Sequence, residues 1–293
     1  MTPAGLLVLV ATPIGNLEDL APRAIRTLAE ADLVVCEDTR RTGRLLASSG
    51  VKAHQLLAMH AHNEASQVEA VLARLLIGET VAMVTDAGLP GISDPGERLV
   101  RAAVAAGVEV RVVPGPSAGL AGLVMSGFPT ERFVFEGFLP RRGSQREKRL
   151  GELAGERRTI VLYEAPHRLR RTLADLAAAL GGERGVALCR EITKLHEEVW
   201  RGDLDDAIAH SDEVEPRGEY VVVLDRGPEP EPADDQVLIA AVETAISSGM
   251  SHRDAVALVA GSHDVPKRHV YDLTLGSAKR RRAVGAETAH PSP

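Results

Sequence analysis

Aromatic side chains are scarce in this sequence: they make up 3% of 293 residues, with a single tryptophan, Trp200. Packing must therefore be mostly aliphatic, and an apolar content of 44% supports a full core in a chain long enough for two domains and a small appendage. Cysteine is scarcer still. Cys36 and Cys189 each sit late in an apolar run, as small buried residues of a reducing compartment would. No C-x-x-C pair occurs, so a structural zinc site is not expected, nor any other metal. Long hydrophobic runs are missing too. The run Leu6 to Ala11 is too short to span a bilayer and has neither a charged leader nor a cleavage site, so the chain is expected to be soluble and cytoplasmic. Also absent are Gly-x-Gly-x-x-Gly, Gly-x-x-x-x-Gly-Lys and the nucleophile elbow with its Ser-His-Asp partners. The usual dinucleotide, P-loop and hydrolase readings lack their signatures.

A net charge of −7 argues against indiscriminate nucleic-acid binding, but the charge is uneven. Residues 139–171 hold ten Lys or Arg against four acids, and residues 267–282 hold six against one. Two basic segments on an otherwise acidic protein fit selective contact with a polyanion. Solvated helix faces are the alternative.

Apolar runs alternate with helical periodicity through the first 115 residues, which predicts an α/β domain with a mainly parallel sheet covered on both faces. Residues 116–227 read as a mixed α/β domain with some antiparallel pairing. Residues 226–235 have the composition of an extended linker. Three short helices follow within 235–282, in a helix-turn-helix-like arrangement opened at its last helix by Lys267 and Arg268, and the tail after Arg282 reads as disordered.

The densest punctuation is "VTDAGLPGISDPG", residues 84–96, where three glycines and two prolines follow an apolar strand. Backbone of that kind is stiff and bare, shaped for close approach by a small ligand. "ATPIGNLEDL" and "VVPGPSAG" repeat the pattern, and loops at strand ends of a parallel sheet gather over one crevice. "CEDTRRTGR" offers a polar rim for an anionic substrate, or a helix cap with surface ion pairs. His60 and His62 can share a strand face, but two histidines without a third ligand usually form a hydrogen-bonded pair. Glu164 and His167 in "YEAPHR" can do proton work or cap a helix.

Together "TPIGNLEDL", "CEDTRRTG", "HNE", "TDAGLPGISDPG", "PGPSA", "FEGFLPR", "YEAPHR", "REITKLHEE" and "GEYVVV" resemble the rRNA ribose methyltransferase branch of the tetrapyrrole-methylase superfamily, over about residues 6–226. The terminal helices are similar to that family's small C-terminal module. Leu89 stands where Thr is more usual, and Ala61 where an acid is. The resemblance implies a two-domain class III methyltransferase fold, a homodimer, and S-adenosylmethionine held between the α/β domains. It further implies methyl transfer to the ribose 2′-oxygen of a cytidine in the decoding region of 16S rRNA, presented as rRNA or as the small ribosomal subunit.

By motif position, the resemblance places the cofactor against Pro13, Gly88, Leu89, Ile92, Ser93, Ser117, Ala118, Tyr163, Leu188 and Gly218. Asp38, His62, Glu64 and Glu164 are the candidates near the transfer point. Arg40 and Arg41 are expected to hold phosphate, with Arg141, Arg142, Lys267 and Arg268 gripping the RNA backbone. Two competing readings are a sister enzyme acting on a tetrapyrrole or other small acceptor, and a non-catalytic nucleic-acid-binding protein. A dehydrogenase rests on fold grounds alone.

Overall fold

A computed structural model describes residues 5–60, 62–227, 234–263 and 265–275. Ala61, most of the expected linker and the tail after Arg282 lie outside the described residues. The chain divides into one compact unit ending at Gly227 and another beginning at Pro228.

The first unit contains two five-stranded sheets. The first sheet is built from β1 (Leu6–Val10), β2 (Leu33–Cys36), β3 (Leu56–Ala58), β4 (Thr80–Met83) and β5 (Glu109–Val113), in the order β3-β2-β4-β1-β5. Every neighbouring pair is parallel. The connecting helices are α1 (Pro22–Glu30), α2 (Thr39–Ser48), α3 (Glu64–Leu76) and α4 (Glu97–Ala105). Strand alternation assigns the faces. Val8, Val10, Val34, Cys36 and Ala82 pack under Ala24, Leu28 and Leu46 of α1 and α2. Leu7, Leu33, Val35, Val81 and Met83 meet Val71, Leu75, Leu99 and Ala103 of α3 and α4. Burying both faces explains the nearly continuous apolar strands. Of the expected stripe on α3, Leu76 departs: it is 55% exposed, while Val71 and Leu75 are buried.

The second sheet follows α5 (Ala118–Ser126). It comprises β6 (Phe133–Phe138), β7 (Thr159–Glu164), β8 (Gly185–Arg190), β9 (Glu198–Asp203) and β10 (Tyr220–Leu224), in the order β6-β7-β10-β8-β9. Only β6 and β7 pair in parallel; the rest are antiparallel. One face packs against α6 (Ser144–Ala154), α7 (Pro166–Leu180) and α8 (Leu204–Glu213), through Leu153, Leu169, Leu173, Leu176 and Leu204. The other face, with Val161, Ala187, Cys189 and Val221, packs against Leu123 of α5 and Ile14. Burial of each such leucine contributes about 1.5–3 kcal/mol.

The second unit has α9 (Asp235–Ser247), α10 (His252–Ser262) and a helical stretch at 267–275. Leu238, Val242, Val256, Val259 and Val270 form its core. Asp234 and Ser251 cap the first two helices through their side chains. Among the described residues, no helix is long and apolar enough to cross a membrane.

Candidate cofactor and acceptor site

The three glycine- and proline-rich strand tips meet. Thr12 and Gly88 exchange main-chain hydrogen bonds of 2.9 and 3.1 Å, tying the loop after β1 to the loop after β4. Gly88 sits at φ +78°, and a Cβ there would lie 3.6 Å from Ile14 and 3.8 Å from the Pro116 carbonyl. The loop after β5 is therefore at the same place. Parallel β4, β1 and β5 are adjacent in the sheet, which is why their carboxyl-end loops converge.

The second sheet closes on this cluster from two sides. Ser93, held at φ +63°, brings its hydroxyl to within 2.8 Å of where a Gly137 Cβ would stand, at a register shift in β6. A non-glycine residue in that backbone region costs about 1–3 kcal/mol, a strain that functional loops commonly store. On the other side, a Cβ at Gly15 would collide with Lys194 and Thr193 of the turn after β8. That turn contains two further left-handed residues, Glu191 and Thr193. Tyr163, at the end of β7, accepts a 3.0 Å hydrogen bond from the Gly119 amide at the start of α5. Phe135 and Phe138 pack edge-on against its ring.

Pro13, Gly88, Leu89, Ile92, Ser93, Ser117, Ala118 and Tyr163 thus belong to one neighbourhood. It combines an apolar floor of Ile14 and Ala118, one phenol, and main-chain groups. Ser117 stands at the N-cap of α5 without capping it through its side chain. Such surroundings suit a ligand with an aromatic base and a zwitterionic tail, recognised without charged side chains.

Two expected members do not join them. The Leu188 side chain lies on the α7 and α8 face, against Leu169, Trp200 and Tyr220, beside a hollow of about 20 Å³ that has room for one water. Its strand is paired on both edges, so its main chain is occupied as well. Parity is the reason: Ala187 and Cys189 face Tyr163, and Leu188 cannot. Gly218 at φ +76° packs on the Glu191 side chain, supporting the 191–194 turn instead of lining the cluster.

The acid candidates separate by role. Glu164 is buried, its carboxylate accepting from Ala165 N and the Thr172 hydroxyl and pairing with Arg168 at 3.1 Å. Both oxygens are occupied, on the face opposite Tyr163. Glu64 is also buried and accepts from the amides of Gly96 and Arg98 at 3.0 and 3.2 Å, fixing the end of the 84–96 loop. Asp38 caps α2 and pairs with Arg40 at 3.1 Å; those hydrogen bonds hold it down to about 2, too low for an effective proton acceptor. His62 is exposed, its ring 6.0 Å from His60.

A different carboxylate fits better. Asp94 follows Ser93 and is pushed up to about 7, first by burial and then by the Glu37 and Asp86 carboxylates. Burial, followed by Asp86, also raises Glu37. Asp86 pairs with Arg41 at 3.1 Å through one oxygen, while its other oxygen is buried without a hydrogen bond. Asp94 in turn contributes to raising the Tyr163 phenol, after burial. No local motif marks this cluster, because it forms only where the tips of two strands, β2 and β4, come together.

Arg40 and Arg142 are exposed, and Arg41 is anchored to Asp86. Lys267 and Arg268 open the last helical stretch of the second unit, where both are exposed. Among the described residues, no three His, Cys, Asp or Glu side chains are grouped to hold a metal ion.

Residues 6–208 match the family model described as Tetrapyrrole (Corrin/Porphyrin) Methylases. A protein of Synechocystis named Ribosomal RNA small subunit methyltransferase I is 45% identical over 92% of this chain and 98% of its own length. A Mycobacterium bovis protein of the same name is 46% identical, covering 96% and 98%. Among solved structures, the methyltransferase CobJ superposes with a TM-score of 0.58 at 22% identity, covering 76% of this chain and 94% of that one. A uroporphyrin-III C-methyltransferase from Thermus thermophilus, complexed with S-adenosyl homocysteine, gives 0.54 at 22% identity, covering 75% and 97%.

Proposed function

The chain belongs to the tetrapyrrole methylase family, and from that premise we propose that it is an S-adenosylmethionine-dependent methyltransferase acting on small-subunit rRNA. The acceptor is the ribose 2′-hydroxyl of a cytidine in the decoding region of 16S rRNA, and the enzyme works in the cytoplasm on the small subunit. The observation that carries this reading is the meeting of three strand tips at Gly88, where Thr12, Ile14 and Pro116 surround a left-handed glycine.

The cofactor supplies an activated methyl group when bound. Pro13, Gly88, Leu89, Ile92, Ser93, Ser117, Ala118 and Tyr163 would hold it. A ribose hydroxyl is a weak nucleophile at neutral pH, so a proton acceptor is needed, typically contributing about 10²–10⁴-fold. We assign that role to Asp94, assisted by Glu37 and Asp86; Glu64 and Glu164 are positioning residues. A carboxylate titrating near the working pH takes up a proton where Asp38, held low by Arg40, does not. Orienting hydroxyl, methyl and sulfur in line supplies several further kcal/mol.

The working form is a homodimer. Leu120 and Val124 on α5 are 54% and 73% exposed, and Phe135 of the edge strand β6 lies against Gly119 of the same helix. An apolar helix face next to an unpaired strand edge is a surface that a second copy would cover.

Incubation of purified small subunits, and separately of a porphyrinogen, with methyl-labelled S-adenosylmethionine tests the acceptor. Label should enter rRNA as a 2′-O-methylated cytidine. Label in the porphyrinogen alone would favour the tetrapyrrole-directed reading.

A further inference from the structure

A cavity of about 330 Å³ opens between the first turns of α6 and α7, lined by Arg141, Arg146, His167, Arg168, Arg171 and Thr172. Four guanidinium groups in one hollow repel each other unless acids or a ligand neutralise them. The lining itself holds no carboxylate; Asp175 and Glu164 stand behind it and pair most closely with the deeper arginines.

Arg146, with a side chain only 3% exposed, pairs with Asp175 at 2.7 Å and donates to the Pro140 carbonyl and the Thr172 hydroxyl. Arg168 pairs with Glu164 and donates to the Leu139 carbonyl. These two are committed to the fold, where they pin the 139–143 loop. The outer groups are not. Arg171 reaches Asp175 only at 3.6 Å and is 62% exposed, sharing that acid with Arg146. The side chains of Arg141 and His167 have no hydrogen bond or ion pair among the described residues. Four arginines against two acids leave a formal +2 in the pocket, before any charge on His167.

The helix starts add little to this. Neither α6 nor α7 has a side-chain cap, but Glu147 lies in the first turn of α6 and Glu164 accepts from the Ala165 amide at the start of α7. The excess positive charge is therefore that of the side chains. Position matters as well. Glu164, which bonds the cavity-lining Arg168 and Thr172, and Tyr163, in the methyl-donor cluster, are consecutive residues of β7. The loop that Arg146 and Arg168 hold continues directly from Gly137, which abuts Ser93.

We propose that this cavity is a phosphodiester pocket that seats one backbone phosphate of the RNA acceptor, with Arg141, Arg171 and His167 as the contacting side chains. It rests on the RNA-acceptor reading above and extends it to residues beyond the exposed pair Arg141 and Arg142. The planar forks of Arg141 and Arg171 suit bidentate contact with phosphate oxygens, and the locked arginines keep the pocket open between substrates.

The test uses the full chain and purified small-subunit rRNA, comparing wild type with the double variant Arg141→Gln, Arg171→Gln. Both positions are exposed, and thermal unfolding of the variant is followed as a control on folding. Affinity for the RNA should fall about 10-fold at moderate salt, and the slope of log affinity against log salt should lessen by about 1. KM for rRNA should rise correspondingly while affinity for S-adenosylmethionine stays the same. His167→Ala should give a smaller loss in the same direction.

A variant with unaltered slope and KM, beside a wild type that binds and methylates rRNA, would overturn the pocket and leave the acceptor standing. A wild type that does not bind RNA would overturn both. Inorganic phosphate alone is the third arm: tight binding that the double variant abolishes, with RNA affinity untouched, would assign the cavity to a free anion and reject the proposal.

Discussion

At neutral pH Asp94 is balanced between its charged and neutral forms, because burial and the Glu37 and Asp86 carboxylates raise it to about 7. If it accepts the ribose proton, turnover should climb as pH rises through about 7 and level off above. Asp94→Asn should remove that limb and reduce kcat by about 10²–10⁴-fold, with cofactor affinity intact. Steady-state kinetics across the neutral range checks this, and an unchanged profile in the variant would transfer the role elsewhere. The same group opposes folding. From its ordinary 3.8 up to about 7, the native state holds a proton that the unfolded chain has released, so stability declines as pH rises through that window. Asp94→Asn should accordingly be the more stable protein above neutrality, by about 2 kcal/mol once its partial exposure is allowed for. Urea unfolding should find that gain at mildly alkaline pH and none in strong acid. Glu164 is the contrasting case. Glu164→Ala would strand the Arg168 guanidinium and the Thr172 hydroxyl, and should cost about 3 kcal/mol of stability in the same assay.

Between elements, the 84–96 loop owes its shape to a residue far away in sequence. α4 begins at Gly96 without a side-chain cap of its own, and Glu64, at the start of α3, reaches across to accept from its first amides. Glu64→Ala should free that loop, raising the Kd for S-adenosylmethionine about 10-fold, or about 1.4 kcal/mol. Turnover at saturating cofactor should change much less; an equal loss in kcat would make Glu64 a participant in the chemistry. From sequence alone, "HNE" could not be told apart from a catalytic motif, because a tertiary cap has no local signature. The glycine-rich tips, by contrast, were legible. Their chemistry is local, and parallel-strand connectivity brings such tips together. Leu188 was expected from motif position alone, and a strand buried on both faces shows no alternation by which its side-chain direction could be checked. The helix α6 was also hidden, since its inward positions include Arg146 and its apolar stripe amounts to little more than Leu150 and Leu153.

Across the whole molecule, charge and apolar surface are distributed by task. Basic side chains gather around the α6 and α7 cavity, while Leu120, Val124, Phe133 and Phe135 leave an uncovered apolar face. Sedimentation of the wild type should give a dimer, and Val124→Asp should shift it to monomer by placing a charge where the second copy packs. A monomeric wild type would remove the dimer from the account. All of this depends on Gly88 being the point where the β1, β4 and β5 loops enclose a methyl donor. Calorimetric titration of wild type and Gly88→Val with S-adenosylmethionine tests that most directly. The account predicts one cofactor per chain for the wild type and at least a 100-fold loss in the variant, because a branched side chain at a left-handed position must distort the Thr12 bridge and fill the gap toward Ile14 and Pro116. Equal affinity in the two proteins, or no binding by the wild type, would contradict it.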